Sequence, residues 1–129
     1  MGKTVILRED DRDLAALVLE LLEDAGYKVV LTESIEETLA AAARNSPCLA
    51  LIDGTSPTSF DLWWLGPELS KLGVPPIAFT AHASARADFE ADSCGYVGVV
   101  GKPFDADEFL SLVDSVCRAE HHGSRAAAS

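Results

Sequence analysis

Apolar and polar positions along this chain switch between two periods. Short apolar runs, bounded by glycine, proline and acidic residues, mark five strands: Thr4–Arg8, Tyr27–Thr32, Leu49–Asp53, Val74–Phe79 and Val97–Val100. Runs such as Leu49-Ala50-Leu51-Ile52 do not alternate with polar residues, which is the pattern of strands covered on both faces. Between the strands the period changes to that of a helix. Leu14, Leu17, Val18, Leu21 and Leu22 keep the i, i+3, i+4, i+7 spacing of an amphipathic helix, and Gly26 stops it. Ser34 with Glu37 is a capping-box pattern that opens a second, alanine-rich helix to about Arg44.

The segment Asp61–Leu72 also reads as helical, but Gly66-Pro67 interrupts it. An interior proline costs about 3 kcal/mol, so the expected helix begins near Pro67 or is kinked there. Ala81–Ser93 is a weaker helical pattern. Asp105 with Glu108 caps a last helix whose apolar face is Phe109, Leu112, Val113 and Val116 and which ends near Ala119. Residues 120–129 carry no apolar face, and a disordered tail is expected there. Five strands alternating with five helical segments specify an α/β fold: a doubly wound parallel sheet with helices on both faces, over residues 1–119.

In such sheets, sites form beyond the carboxyl ends of the strands. Four strands lead into reactive residues there. The first runs into Glu9-Asp10-Asp11, the third stops on Asp53, the fourth ends on Thr80, and the fifth leads into Lys102-Pro103. Paired carboxylates suit a hard divalent cation such as Mg²⁺, and a carboxylate can be a nucleophile toward phosphorus. A hydroxyl and an ammonium beside it suit the oxygens of a phosphoryl group. Taken singly, each residue has a plainer role. Glu9 and Asp10 fit first-turn acids, Thr80 a helix cap, and Lys102-Pro103 an exposed turn. Their coincidence at four strand ends favours phosphoryl chemistry.

Composition narrows the class. Of the 129 residues, 48% are hydrophobic and 24% charged, as in an ordinary globular domain. The formal net charge of −11 argues against direct binding of nucleic acid. No apolar stretch approaches the roughly 20 residues of a membrane span, so no membrane insertion is expected. The N-terminal residues lack a signal-peptide layout, which makes the cytoplasm the expected location. The three cysteines, Cys48, Cys94 and Cys117, form no CxxC pair. They indicate neither a zinc site nor a disulfide framework and read as small buried hydrophobes.

The motifs Val5-Ile6-Leu7-Arg8-Glu9-Asp10-Asp11, Leu49-Ala50-Leu51-Ile52-Asp53 with Pro57, Phe79-Thr80-Ala81 and Gly101-Lys102-Pro103-Phe104 resemble the receiver domain of two-component response regulators. The resemblance runs from about Lys3 to Ala119. It implies the flavodoxin-like strand order 2-1-3-4-5. It further implies that Asp53 accepts a phosphoryl group from a histidine kinase or phosphotransfer protein. Glu9, Asp10 and Asp53, with the backbone carbonyl of Thr55, would hold Mg²⁺. Thr80 would hydrogen-bond the phosphoryl group and Lys102 would pair with it. Such a domain is not a conventional enzyme, although it takes part in its own phosphorylation and dephosphorylation. It signals to a downstream protein, in this family usually through the fourth helix, fifth strand and fifth helix.

The chain departs from that pattern in several places. Val99 stands where receivers usually carry a switching aromatic, and Tyr96 lies nearby at a different spacing. Gly54-Thr55-Ser56 is more polar than usual, and Phe60-Asp61-Leu62 replaces the expected Asp-Gly. Trp63-Trp64 are candidates for a partner-binding patch. These departures motivate an alternative, a phosphorylation-independent pseudo-receiver that acts as a binding module. A metal-dependent phosphatase is disfavoured, because Thr55 sits where a second catalytic acid would be. The tail is too short to fold as an output domain, so the chain is expected to act alone or as part of a longer protein.

Overall fold

The computed structural model describes residues 3–9, 11–53, 60–80, 96–101 and 104–128, with backbone only at 60–63, 80, 99 and 119–128. Nine elements are described: β1 (Thr4–Arg8), α1 (Arg12–Asp24), β2 (Lys28–Thr32), α2 (Ile35–Asn45), β3 (Leu49–Asp53), α3 (Phe60–Lys71), β4 (Pro76–Thr80), β5 (Gly98–Gly101) and α4 (Ala106–Ala128). The helix expected over 81–93 lies outside the described residues. All strand pairs are parallel, and the order is β2-β1-β3-β4-β5. That is the doubly wound arrangement expected from the sequence.

The two-residue period of the strands sorts their side chains onto two faces. Val5, Leu7, Leu49, Leu51, Ile77, Phe79 and Val100 pack with Val18 and Leu22 of α1 and Phe109, Val113 and Cys117 of α4. Ile6, Ala50, Ile52 and Ala78 pack with Ala41 and Ala42 of α2 and Leu65 and Leu69 of α3. Every residue of β3 is buried, as its uninterrupted apolar run requires.

Local chemistry sets the helix ends. Asp11 caps α1, its side chain accepting from the backbone N–H groups of Asp13 and Leu14 at 3.0 and 3.1 Å. Ser34 caps α2 by accepting from Glu37 N–H at 3.0 Å. The Glu37 carboxylate reaches back to Glu33 N–H at 2.8 Å, one residue before the position a standard capping box uses. Asp105 accepts from Glu108 N–H at 3.0 Å at the start of α4. After α1 and α3 the chain turns at Gly26 (φ 96°) and Gly73 (φ 80°), left-handed positions that glycine occupies without strain.

Three findings differ from the sequence expectation. First, of the two expectations for α3, a start near Pro67 is not met: the helix runs from Phe60 to Lys71 with Pro67 inside it. Leu65 and Leu69 flank the proline and are fully buried. Their burial contributes roughly 1.5–3 kcal/mol each, which offsets the proline's cost of about 3 kcal/mol. Second, the backbone of α4 continues as helix to Ala128, through the segment where an unstructured tail is expected. Residues 124–128 are one arginine and three alanines after Ser124, mostly strong helix formers, and no proline intervenes.

Third, Cys48 and Cys117 are not separate hydrophobes but a disulfide, with Cα atoms 4.9 Å apart and a sequence separation of 69. Spacing along the chain cannot reveal such a pair. It arises because the stripe Phe109, Val113, Cys117 lies over the start of β3.

Candidate functional site at the carboxyl edge of the sheet

The strand register brings Glu9, Asp53 and Thr80 to one edge. Arg8 pairs with Ile52, so Glu9 follows β1 at the level where Asp53 ends β3. Asp53 pairs with Phe79, so Thr80 lies one residue further along β4. Thr80 in turn pairs with Gly101, the residue before Lys102. Neighbouring strands are about 4.8 Å apart, so the ends of β1, β3 and β4 form one continuous edge with Asp53 in the centre.

Asp53 continues the side-chain alternation of Leu49 and Leu51, yet is a carboxylate with only 4% of its surface exposed. A buried carboxylate at a strand end is costly unless polar groups meet it, and this edge is where polar groups are available. Glu9 is half-buried, and its Oε2 accepts from the N–H of Asp11 at 3.2 Å. The acidic loop is thereby divided by role. Asp11 serves the helix as its cap, while Glu9 remains at the sheet edge beside Asp53. Asp10, Thr55 and Lys102 lie outside the described residues, and for Thr80 only the backbone position is described.

Arg8 was not anticipated from the sequence. It closes β1 between Thr32 and Ile52 with only 9% of its surface exposed. A buried guanidinium beside an acidic edge supplies positive charge where carboxylates gather. The available signal was a charged residue at the end of an otherwise apolar run.

The departures from the receiver pattern also have places. Tyr96 is 2% exposed and belongs to the core cluster that includes α2 and α3. Val99 lies in β5 opposite Ala78. Trp64 is 40% exposed on α3, among the few large hydrophobic residues that are. Behind the site, Phe79, Phe104 and Phe109 form a trio of rings with centroids 5.0 to 5.6 Å apart. No described helix is long and apolar enough to cross a membrane.

No family model matches the chain. The polar-differentiation response regulator DivK of Brucella ovis is 29% identical over 118 residues, covering 89% of this chain and 96% of DivK. The nitrogen assimilation regulatory protein NtrX of Azorhizobium caulinodans is 24% identical over 125 residues, and the match spans only 26% of that longer protein. A CheY-like response regulator receiver domain protein from Methanospirillum hungatei superposes with a TM-score of 0.81 at 22% identity, covering 95% and 99% of the two chains. This chain is a response regulator receiver domain. A second structural neighbour is the receiver domain of sensor histidine kinase PA1611 from Pseudomonas aeruginosa. It has a TM-score of 0.77 at 23% identity, covers 91% and 98% of the chains, and carries a magnesium ion coordinated in its active site cleft. As a response regulator receiver domain, the chain belongs to two-component signal transduction.

Proposed function

We propose that this receiver domain accepts a phosphoryl group on Asp53 from the phosphohistidine of a histidine kinase or phosphotransfer protein. One observation carries the reading: a buried carboxylate, 4% exposed, at the carboxyl end of the sheet, with Glu9 at the adjoining strand end. In the transfer, the phosphorus–nitrogen bond of the donor breaks as a phosphorus–oxygen bond to Asp53 forms, leaving the donor imidazole. Such chemistry depends on positioning and on charge neutralisation more than on covalent assistance by the protein. Asp53 is positioned by β3, which lies between β1 and β4 in the sheet. Thr80, next in register, donates its hydroxyl to a phosphoryl oxygen, and Lys102 pairs with another.

The donor set fits Mg²⁺. Glu9 and Asp53 offer hard carboxylate oxygens at neighbouring strand ends, and Asp10 with the Thr55 carbonyl would complete the set. When bound, the ion would supply positive charge to offset the negative charge of the phosphoryl oxygens. The magnesium in the PA1611 receiver domain supports this assignment. In this reading the domain is a phosphorylated signalling partner and not a conventional enzyme. It takes its signal from the kinase side, passes it to a downstream protein, and works in the cytoplasm beside its phosphodonor.

The test is intact mass after incubation with Mg²⁺ and a small phosphoramidate donor. The wild type gains one phosphate, Asp53→Asn gains none, and removal of the cation by a chelator abolishes the gain. Labelling of Asp53→Asn equal to that of the wild type would overturn the assignment.

A further inference from the structure

We propose that Cys48 and Cys117 are a reversible thiol–disulfide site that ties α4 to the head of β3 and that a dithiol reductant opens. Cys48 directly precedes β3, and its N–H donates to the carbonyl of Thr4 at 2.8 Å, so it is fixed to the sheet. Cys117 lies two turns after Phe109 and one after Val113, in the same buried stripe of α4. The two Cα atoms are 4.9 Å apart, within the range that a disulfide bridges without moving the backbone. No metal-ligating cluster is found among the described residues. Cys94 lies outside them.

The bond is not needed to build the fold. Two apolar clusters enclose many residues with no exposed surface. At 129 residues the chain is well above the size at which domains require covalent staples. Opening the bond therefore leaves a folded protein with a looser helix. Without it, the same end of α4 is held by burial of its stripe and by polar contacts. These include Tyr27 Oη donating to Asp114 Oδ1 at 3.3 Å and Lys3 Nζ donating to the Cys117 carbonyl at 3.3 Å. Such partly solvated contacts are individually weak.

The chemistry balances by exchange. A reductant thiolate attacks Sγ of Cys48, the more exposed of the two residues at 6% against 1%. The bond to Cys117 breaks, and Cys117 leaves as a thiolate that takes a proton. The reductant's second thiol then closes on its own mixed disulfide and releases Cys48. The protein gains two electrons and two protons, and the reductant loses the same. A small disulfide such as oxidised glutathione reverses the steps. Both sulfurs are enclosed, so attack requires α4 to lift, which makes exchange slow unless the helix opens. Asp53 lies five steps along the strand from Cys48, about 17 Å away. The sulfur chemistry thus acts on the helix and not directly on the acceptor.

The experiment uses the full chain oxidised with excess glutathione disulfide, or reduced with dithiothreitol. Cysteines are then alkylated after unfolding and counted by mass. One alkylated cysteine, mapped to position 94, is expected when oxidised, and all three when reduced. On reduction Tm falls by about 7–16 °C, and amides of residues 109–118 exchange about tenfold or more faster. Phosphate uptake by Asp53 is read separately on both forms, so failure of that reaction does not bear on this proposal. Cys117→Ser should resemble the reduced protein and ignore dithiothreitol, while Cys94→Ser should stay responsive. If Cys117→Ser does not fold, reduction of the wild type decides. Three alkylated cysteines in the oxidised sample, a bond to Cys94, or unchanged Tm and exchange on reduction would each overturn it.

Discussion

Phe79→Ala tests how the core supports the signalling edge. Phe79 is fully buried, pairs in register with Asp53, and directly precedes Thr80. Its ring centroid lies 5.6 Å from those of both Phe104 and Phe109. Truncating a fully buried phenylalanine costs about 3–5 kcal/mol, the lost transfer energy plus the cavity left behind. Unfolding entropy near Tm is about 2.1 cal/mol/K per residue, or about 270 cal/mol/K for a chain of this length. The expected fall in Tm is therefore about 11–18 °C. Since a domain of this length has of order 6–19 kcal/mol of total stability, the variant should still fold at low temperature. The assay is urea and thermal unfolding followed by circular dichroism on the oxidised protein. A double-mutant cycle with Phe109→Leu isolates the ring contact, with an expected coupling of about 0.5–1.5 kcal/mol. A fall below about 3 °C together with zero coupling would show that the three rings do not pack as a unit.

Two further outcomes follow from polar contacts. Burial first, then the charge and hydrogen bond of Asp114, raise the Tyr27 hydroxyl above its usual pKa of 10.0, with Arg118 opposing. A raised pKa in the folded state means the stabilisation is complete below 10 and is lost as pH rises through the folded value. Urea midpoints should fall above pH 10 in the wild type, and less steeply in Tyr27→Phe; identical slopes would contradict this. The Thr38 hydroxyl donates to the Ser34 carbonyl at 2.8 Å and accepts from Thr32 at 2.8 Å, with Thr38 fully buried. Thr38→Val should cost about 1–3 kcal/mol by stranding the Thr32 hydroxyl, and Thr32→Val added to it should recover part of that loss. A double variant as unstable as the sum of the singles would refute the pairing.

The sheet was legible because its strands are buried on both sides and so spell uninterrupted apolar runs. The grouping of Glu9, Asp53 and Thr80 along one edge was legible for a related reason. Glu9, Asp53 and Thr80 are polar residues that end such runs, and a parallel register places run ends along one edge. The capping residues Ser34 and Asp105 were readable from three-residue spacing alone. Pro67 left the start of α3 open because its cost is local, while the burial of Leu65 and Leu69 that offsets it comes from packing. The Cys48–Cys117 bond escaped notice because it depends on where α4 lies across β3, which no spacing encodes. Arg8 escaped because a basic residue at a strand end reads as a solvated terminus until its neighbours enclose it.

The central claim, that Asp53 is the phosphoryl acceptor, is tested most directly by trapping the acyl phosphate. Protein treated with Mg²⁺ and a phosphoramidate donor is reduced with borohydride, which converts a phosphorylated aspartate to homoserine, and is then mapped by peptide mass spectrometry. Homoserine at position 53, absent when the cation is chelated, is the predicted result. Modification at another carboxylate, or no modification in folded protein shown to bind Mg²⁺, would contradict the account.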